Sequence, residues 1–130
     1  MAKHISLGIR VSLGTDVGAG TGFGMLKEGL QAYMLQRIAT DGFGLTPTHL
    51  LYLATRAGAE ALGMDDAGDL SPGRSADFVY IKPIAGSPLA AIADNAESPE
   101  RMLAAIFTLA GAETIAGTWV QGRAVYEGEG

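Results

Sequence analysis

The residue best placed for chemistry is Asp16, in the glycine-rich stretch SLGTDVGAGTGFG at residues 12–24. Apolar residues alternate with smaller or polar ones before it, which predicts a buried strand over residues 5–15. Four glycines at alternate positions follow, and they let the backbone turn sharply and approach another group closely. A carboxylate at the C-terminal end of a barrel strand is a common place for catalysis. Asp16 is therefore a candidate metal ligand or proton shuttle.

Two other interpretations of this stretch remain open. Aspartate before glycine is common in turns, so Asp16 could instead cap the turn through its side chain. The glycines could also bind phosphate ahead of the next helix. Against phosphate, no Gly-Lys-Ser/Thr follows, and the glycines do not fit the dinucleotide-binding spacing.

The two histidines do not form an obvious metal site. His4 lies near the start of the chain, and His49 lies in the first turn of a predicted helix, where a capping or surface role is expected. They are not spaced as paired ligands. A hydrolytic metal centre needs about three protein ligands and an open position, and one aspartate with two scattered histidines does not supply them.

Composition narrows the class of protein. The 130 residues suffice for one domain, and 48% hydrophobic with 18% charged residues is typical of a globular protein. A net charge of −5 argues against a nucleic-acid partner. The absence of cysteine excludes disulfides and thiol chemistry. Neither a signal peptide nor a run long enough to span a membrane is visible, so a cytoplasmic location and no membrane partner are expected.

Local signals predict the helices of the chain. A first helix is predicted over residues 25–38, with its core face formed by Leu26, Leu30, Tyr33, Met34 and Ile38. Thr46-Pro47 predicts the start of the next helix and Gly63 its end. Ser87-Pro88 and Ser98-Pro99 predict two further helix starts.

Strands and turns are predicted mainly in the second half. A tight turn is expected at residues 70–73 (LSPG), followed by a strand over residues 77–82. A hairpin is expected near the end of the chain, across Gln121-Gly122. The early strand is far from the three late ones, and a three-stranded sheet with an open edge would bury few of the many apolar residues, which suggests that part of the fold lies elsewhere.

Four blocks of the sequence resemble one family: SLGTDVGAGTGFGMLKEGLQAY, LTPTHLLYLATRAGAEALGM, GDLSPGRSADFVYIKP and TWVQGRAVY. They are similar to the C-terminal part of zinc-dependent amidohydrolases. The last three blocks are shared across that superfamily, whereas the first resembles the guanine deaminases more narrowly. The resemblance covers essentially the whole chain.

The resemblance implies an α/β fold that is only part of a longer architecture. Residues 1–66 would contain the last strand of a TIM barrel, at residues 9–15, with the helices that follow it. Residues 67–130 would form part of a small β-sandwich with packed helices. Seven of the eight barrel strands would lie outside this sequence, so we expect a C-terminal segment whose partner is the missing N-terminal part.

The resemblance also implies a reaction. In that family the aspartate after the last barrel strand binds the metal and moves protons, and the matching residue is Asp16. The intact enzyme would use zinc to hydrolyse guanine to xanthine and ammonia, or to deaminate a related purine in the same way. The family's metal-binding histidines and catalytic glutamate have no counterpart here, so we expect this chain alone to bind no zinc and to be inactive.

A non-catalytic role is the alternative. The chain could be a binding or assembly module that retains part of the fold, with Asp16 a turn residue. Because barrel-facing surface would be left uncovered, self-association into a homo-oligomer is expected under either interpretation.

Overall fold

The computed structural model describes residues 1–128, so residues 129 and 130, at the end of the predicted second unit, lie outside the described part. The helices are α1 Ala2–Ser6, α2 Met25–Ile38, α3 Pro47–Ala54, α4 Arg56–Leu62, α5 Pro88–Ala93 and α6 Pro99–Leu109. The strands are β1 Phe78–Ile81, β2 Ile115–Val120 and β3 Arg123–Glu127, with a short 3-10 helix, Ala112–Thr114, before β2.

Three helices begin at a hydroxyl residue followed by proline, as predicted. The Oγ1 atom of Thr46 accepts the N–H of His49 at 3.2 Å. Ser87 and Ser98 cap α5 and α6 in the same manner. Each cap satisfies one of the free N–H groups of a first turn, while proline at N1 removes another donor and fixes φ.

The strands form one antiparallel sheet in the order β1-β2-β3. The predicted hairpin is present, and both of its turn residues have positive φ, 51° at Gln121 and 74° at Gly122. This is the twist that a two-residue hairpin loop requires. The N–H of Gln121 donates to the Asp77 carboxylate at 2.6 Å, which joins the hairpin to the start of β1.

The helices enclose a small core. Its buried residues are Leu45, Leu50, Leu53, Ala57 and Phe107, to which α3, α4 and α6 contribute. Helix α2 joins this core where Gly29 lies against the ring of Phe107. Glycine has no Cβ, so it allows the two helices to approach closely.

The predicted core face of α2 is wrong for three of its five residues, whereas Leu26 packs against the core as predicted. Tyr33, Met34 and Ile38 are exposed, Ile38 by 80%, and the buried residue of this helix is Gly29. The reason is geometric, because α2 docks on α6 through its small residues. Tyr33, Met34 and Ile38 of the predicted stripe therefore point away from the core of this chain.

The predicted first strand is also absent. Residues 2–6 form α1, and residues 9–15 have no strand structure. A strand needs a ladder of backbone hydrogen bonds. Within residues 1–128, two backbone hydrogen bonds join residues 9–15 to regular elements: Ile9 N–H donates to the His4 carbonyl of α1, and Leu13 N–H donates to the Leu53 carbonyl of α3, each at 3.0 Å. Two isolated bonds to helices do not form a ladder. Val11 and Leu13 are nevertheless half-buried, whereas Ile9 is exposed, so the alternation marked the inward side only in part.

The helix expected from Pro47 to Gly63 is two helices. Its backbone breaks at Thr55, where φ is −131° and ψ is −90°. The Thr55 hydroxyl donates to the Leu51 carbonyl at 2.7 Å, an alternative to regular helical bonding. The predicted stop is confirmed, because Gly63 has a φ of 70° in the left-handed region.

In the part of the chain that the structure describes, every helix is too short or too polar to cross a lipid bilayer.

Candidate functional site

Asp16 opens a tight turn and has an unusual backbone conformation. Its φ is 47°, in the left-handed region that few residues other than glycine adopt, although aspartate tolerates it better than most. Its carbonyl oxygen accepts the N–H groups of Ala19 at 2.9 Å and Gly20 at 2.6 Å. Gly18, with a φ of 103°, completes the reversal of the chain.

The turn uses the backbone of Asp16 rather than its carboxylate. The two hydrogen bonds that close it both end on the main-chain carbonyl oxygen. The side chain is exposed to solvent. The turn-capping interpretation therefore does not describe this structure, and the carboxylate stays available for another partner.

The glycine loop is attached to α2 through Thr21. Lys27 Nζ donates to the Thr21 carbonyl oxygen at 2.9 Å, and Gln31 Nε2 donates to the Thr21 hydroxyl at 2.6 Å. That hydroxyl lies 3.4 Å from Glu28 Oε1, to which it can donate. Sequence reasoning missed these contacts. Its available signal was the four-residue spacing of Lys27 and Gln31, which places both on one face of the helix.

The histidines do not join Asp16. His4 is exposed on α1. His49 has the predicted capping role, since its Nδ1 atom accepts the N–H of Thr46 at 3.2 Å. Its ring also meets Phe43 edge-on, with centroids 5.5 Å apart.

The metal-ligand set within residues 1–128 is incomplete. No group of three or more His, Asp or Glu side chains in this range is placed to hold an ion. Since a catalytic zinc takes about three protein ligands, these residues do not fit the metal by themselves.

A second polar cluster, unforeseen from the sequence, joins α3 and α4. Glu60 accepts from Arg56 at 2.9 Å through one carboxylate oxygen and from Tyr52 at 3.0 Å through the other. These hydrogen bonds, that from Arg56 first, lower the pKa of the Glu60 carboxyl. The bond that Tyr52 donates raises the pKa of its own hydroxyl.

The cluster continues into the predicted turn at residues 70–73. Arg56 Nη1 lies 3.2 Å from Asp69 Oδ2, and Arg74 Nε lies 3.4 Å from Asp69 Oδ1. Hydrogen bonding from Ser71 lowers the pKa of the Asp69 carboxyl, and the two arginines add to the effect. This cluster ties the turn to α4 and is a structural feature distinct from Asp16.

A cavity of about 260 Å³ lies between α1, residues 9–11 and helices α3 and α4. Its wall is mostly apolar, with Arg10, His49, Tyr52 and Glu60 as its polar side chains. Asp16 is not among the residues that line it. The structure therefore does not join the candidate catalytic carboxylate to this cavity.

Comparison with known proteins identifies the family. Residues 1–125 match the model of the amidohydrolase family. The chain is 50% identical to a probable guanine deaminase of Deinococcus radiodurans, over 99% of this chain and 30% of that protein. It is 41% identical to the guanine deaminase of Escherichia coli, over 92% of this chain and 27% of that protein.

A solved structure of the E. coli guanine deaminase has the same fold over nearly all of this chain. The TM-score is 0.88 at 38% identity, covering 98% of this chain and 30% of that structure. The chain thus spans about 30% of the length of these relatives and matches a segment of them. The predicted resemblance is confirmed, and the chain belongs to the amidohydrolase family.

Proposed function

We propose that the chain is the segment of a guanine-deaminating hydrolase that carries a catalytic carboxylate, Asp16. The observation that carries this proposal is the contrast between the backbone and the side chain of Asp16. Its backbone is fixed by a closed turn while its carboxylate is exposed and takes no part in closing that turn. The similarity to two guanine deaminases supports guanine, or a related purine, as the substrate class.

The chemistry proposed for Asp16 is proton transfer. Hydrolytic deamination requires a water molecule to lose a proton as it attacks and the leaving amine to gain one. A carboxylate can hold that proton between the two events, which is general acid–base catalysis. An aspartate whose backbone is held in a hydrogen-bonded turn suits this role, because its position is set before the substrate binds.

The metal belongs to the same proposal. Amidohydrolases of this kind are generally metal-dependent, and zinc, which lowers the pKa of bound water, is the metal that we propose. Asp16 would be one ligand. Because the described residues lack a complete donor set, the other ligands would have to come from outside the described residues.

The similarity to guanine deaminases also supports a division of the chain into two structural units. Residues 1–66 would belong to the catalytic barrel, and residues 67–130 to the small β-sandwich. The matching partner would be a polypeptide that supplies the rest of the amidohydrolase fold. That the chain forms a homo-oligomer and that it is located in the cytoplasm are both predictions from the sequence.

A chimera tests the proposal. The matching segment of the E. coli guanine deaminase is replaced by this chain, and guanine loss is followed by its ultraviolet absorbance. We expect the chimera to hydrolyse guanine. Asp16→Asn should lower kcat by at least about 100-fold, the usual range for losing a general acid–base group.

The matched control is Asp41→Asn, which removes the same charge from an exposed loop after α2. It should leave activity unchanged. A folded chimera that is equally active with Asp16→Asn would overturn the proposed role. The isolated chain with added zinc should show no turnover, and turnover abolished by Asp16→Asn would show that the chain assembles a complete site.

A further inference from the structure

We infer that Thr21 and Gly20 are positioning residues for Asp16, with Thr21 clamped by two side chains of α2. The inference rests on the proposed role of Asp16 and extends it to the residues that hold the carboxylate in place. It is carried by the hydrogen bonds around the glycine loop and by the space at Gly20.

The loop needs an external support. Asp16 has a φ of 47°, which an L-residue other than glycine seldom adopts. The glycines on its C-terminal side give this backbone many alternative conformations. The turn would therefore exchange readily among shapes unless another part of the fold held it.

Helix α2 supplies that support at one residue. Lys27 holds the Thr21 carbonyl at 2.9 Å, and Gln31 holds its hydroxyl at 2.6 Å. Two different groups of Thr21 are thus bound by side chains one helical turn apart. This holds both the position and the rotation of Thr21 within the loop.

The support itself is fixed to the core. Gly29 lies between Lys27 and Gln31 in the sequence, and it packs directly on Phe107 of α6. Helix α2, which carries Lys27 and Gln31, therefore cannot move away from α6 without breaking that contact. The core thus positions α2, α2 positions Thr21, and Thr21 in turn restrains the loop that begins at Asp16.

Gly20 closes the loop from the other side. A Cβ built at Gly20 would collide with the carbonyl oxygen of Thr15, far inside van der Waals contact, and would also lie 3.1 Å from the Asp16 carbonyl oxygen. The Thr15 carbonyl belongs to the peptide bond that leads into Asp16. A side chain at position 20 must therefore displace the backbone that carries the Asp16 carboxylate.

The first test uses the whole 130-residue chain and NMR. Amide hydrogen exchange at Ala19 and Gly20 reports the turn, and the three-bond coupling of the Asp16 amide reports its φ. Thr21→Val removes the hydroxyl at nearly constant volume and should raise exchange at both amides about threefold to tenfold, as expected for a lost hydrogen bond. Thr21→Ser keeps the hydroxyl and should restore protection.

The second pair of variants tests Gly20. Gly20→Ala should change the Asp16 coupling and abolish protection at residue 20. Gly14→Ala is the matched control, because a Cβ there meets nothing within 4 Å. It should leave the Asp16 coupling and the amide protection of residue 20 unchanged. Lys27→Met tests the other half of the clamp and should act like Thr21→Val.

The guanine-deaminase chimera supplies a functional readout. Thr21→Val should lower kcat with little change in KM, and Thr21→Ser should recover it. Unchanged amide exchange and unchanged Asp16 coupling in both Thr21→Val and Gly20→Ala would overturn the inference. Failure of the catalytic proposal is distinguishable, since it shows as an active Asp16→Asn chimera while the loop signals still respond to Thr21→Val.

Discussion

Gly29 of α2 lies directly against the ring of Phe107 of α6. A Cβ at position 29 would be 2.6 Å from two ring carbons. This contact decides which face of α2 meets the core, and it fixes the helix that holds the glycine loop.

Gly29→Ala should destabilise the fold. The added methyl group must push the buried Phe107 ring aside, and overpacking of this kind costs about 1–3 kcal/mol. Urea unfolding measures the change. The matched control is Gly58→Ala in α4, where a Cβ meets nothing within 4 Å and helix propensity predicts a gain of roughly 0.5–1 kcal/mol. Equal effects of the two substitutions would contradict the close contact.

Thr46→Ala should weaken the start of α3. The substitution removes the oxygen that accepts the His49 N–H, and loss of such a cap costs about 1 kcal/mol. The free energy of unfolding in urea is the measurement. Thr48→Ala makes the same chemical change at an exposed site inside the helix and should cost nothing. A loss at position 48 as large as that at position 46 would rule out a specific cap.

Acid should weaken the cluster of Glu60 and Asp69. Both carboxyls have a pKa below the ordinary value, because of hydrogen bonding from Arg56 and Ser71 respectively. A lowered pKa in the folded state means that the unfolded chain binds protons more readily. The stabilisation is therefore complete above the ordinary carboxyl pKa and is lost as the pH falls through the lowered values.

Urea unfolding at pH 7 and at stepwise lower pH tests this. Glu60→Gln should reduce stability at pH 7 and flatten the acid dependence. Asp65→Asn, at an exposed position outside the cluster, should follow the parent chain. An unchanged acid profile in Glu60→Gln would show that the cluster does not contribute.

Gln121→Asn should stabilise the hairpin. Gln121 has a φ of 51°, and asparagine tolerates this region better and favours two-residue turns before glycine. The gain should be a few tenths of a kcal/mol to about 1 kcal/mol. Thermal unfolding is the measurement, with Gln121→Ala as a comparison that should bring no gain. A destabilising Gln121→Asn would contradict the turn geometry.

The sequence by itself determined the local features of this protein. Thr46, Ser87 and Ser98 begin helices, Gly63 ends one, and Gln121-Gly122 turns the hairpin. Each of these depends on φ preferences and hydrogen bonds within a few residues, so the signal and its cause lie together in the chain. The family resemblance was readable for a related reason, since it rests on contiguous blocks of residues.

The candidate site was only partly readable. The sequence placed Asp16 before a turn, but it left open whether the carboxylate or the backbone closes that turn. The structure assigns the closure to the carbonyl oxygen. It also shows the attachment of Thr21 to Lys27 and Gln31, which depends on how the loop folds back over α2.

Only the tertiary structure decided what depends on a partner distant in the chain. Residues 9–15 alternate like a strand, yet strand structure needs a neighbouring backbone, and Leu53 supplies a single hydrogen bond to Leu13. The apolar stripe of α2 marks a helix, but of its residues Leu26 packs on the core while Tyr33, Met34 and Ile38 do not. The fit of Gly29 to Phe107 selects the buried side. Pairing and packing are relations between segments, and no local pattern contains both members.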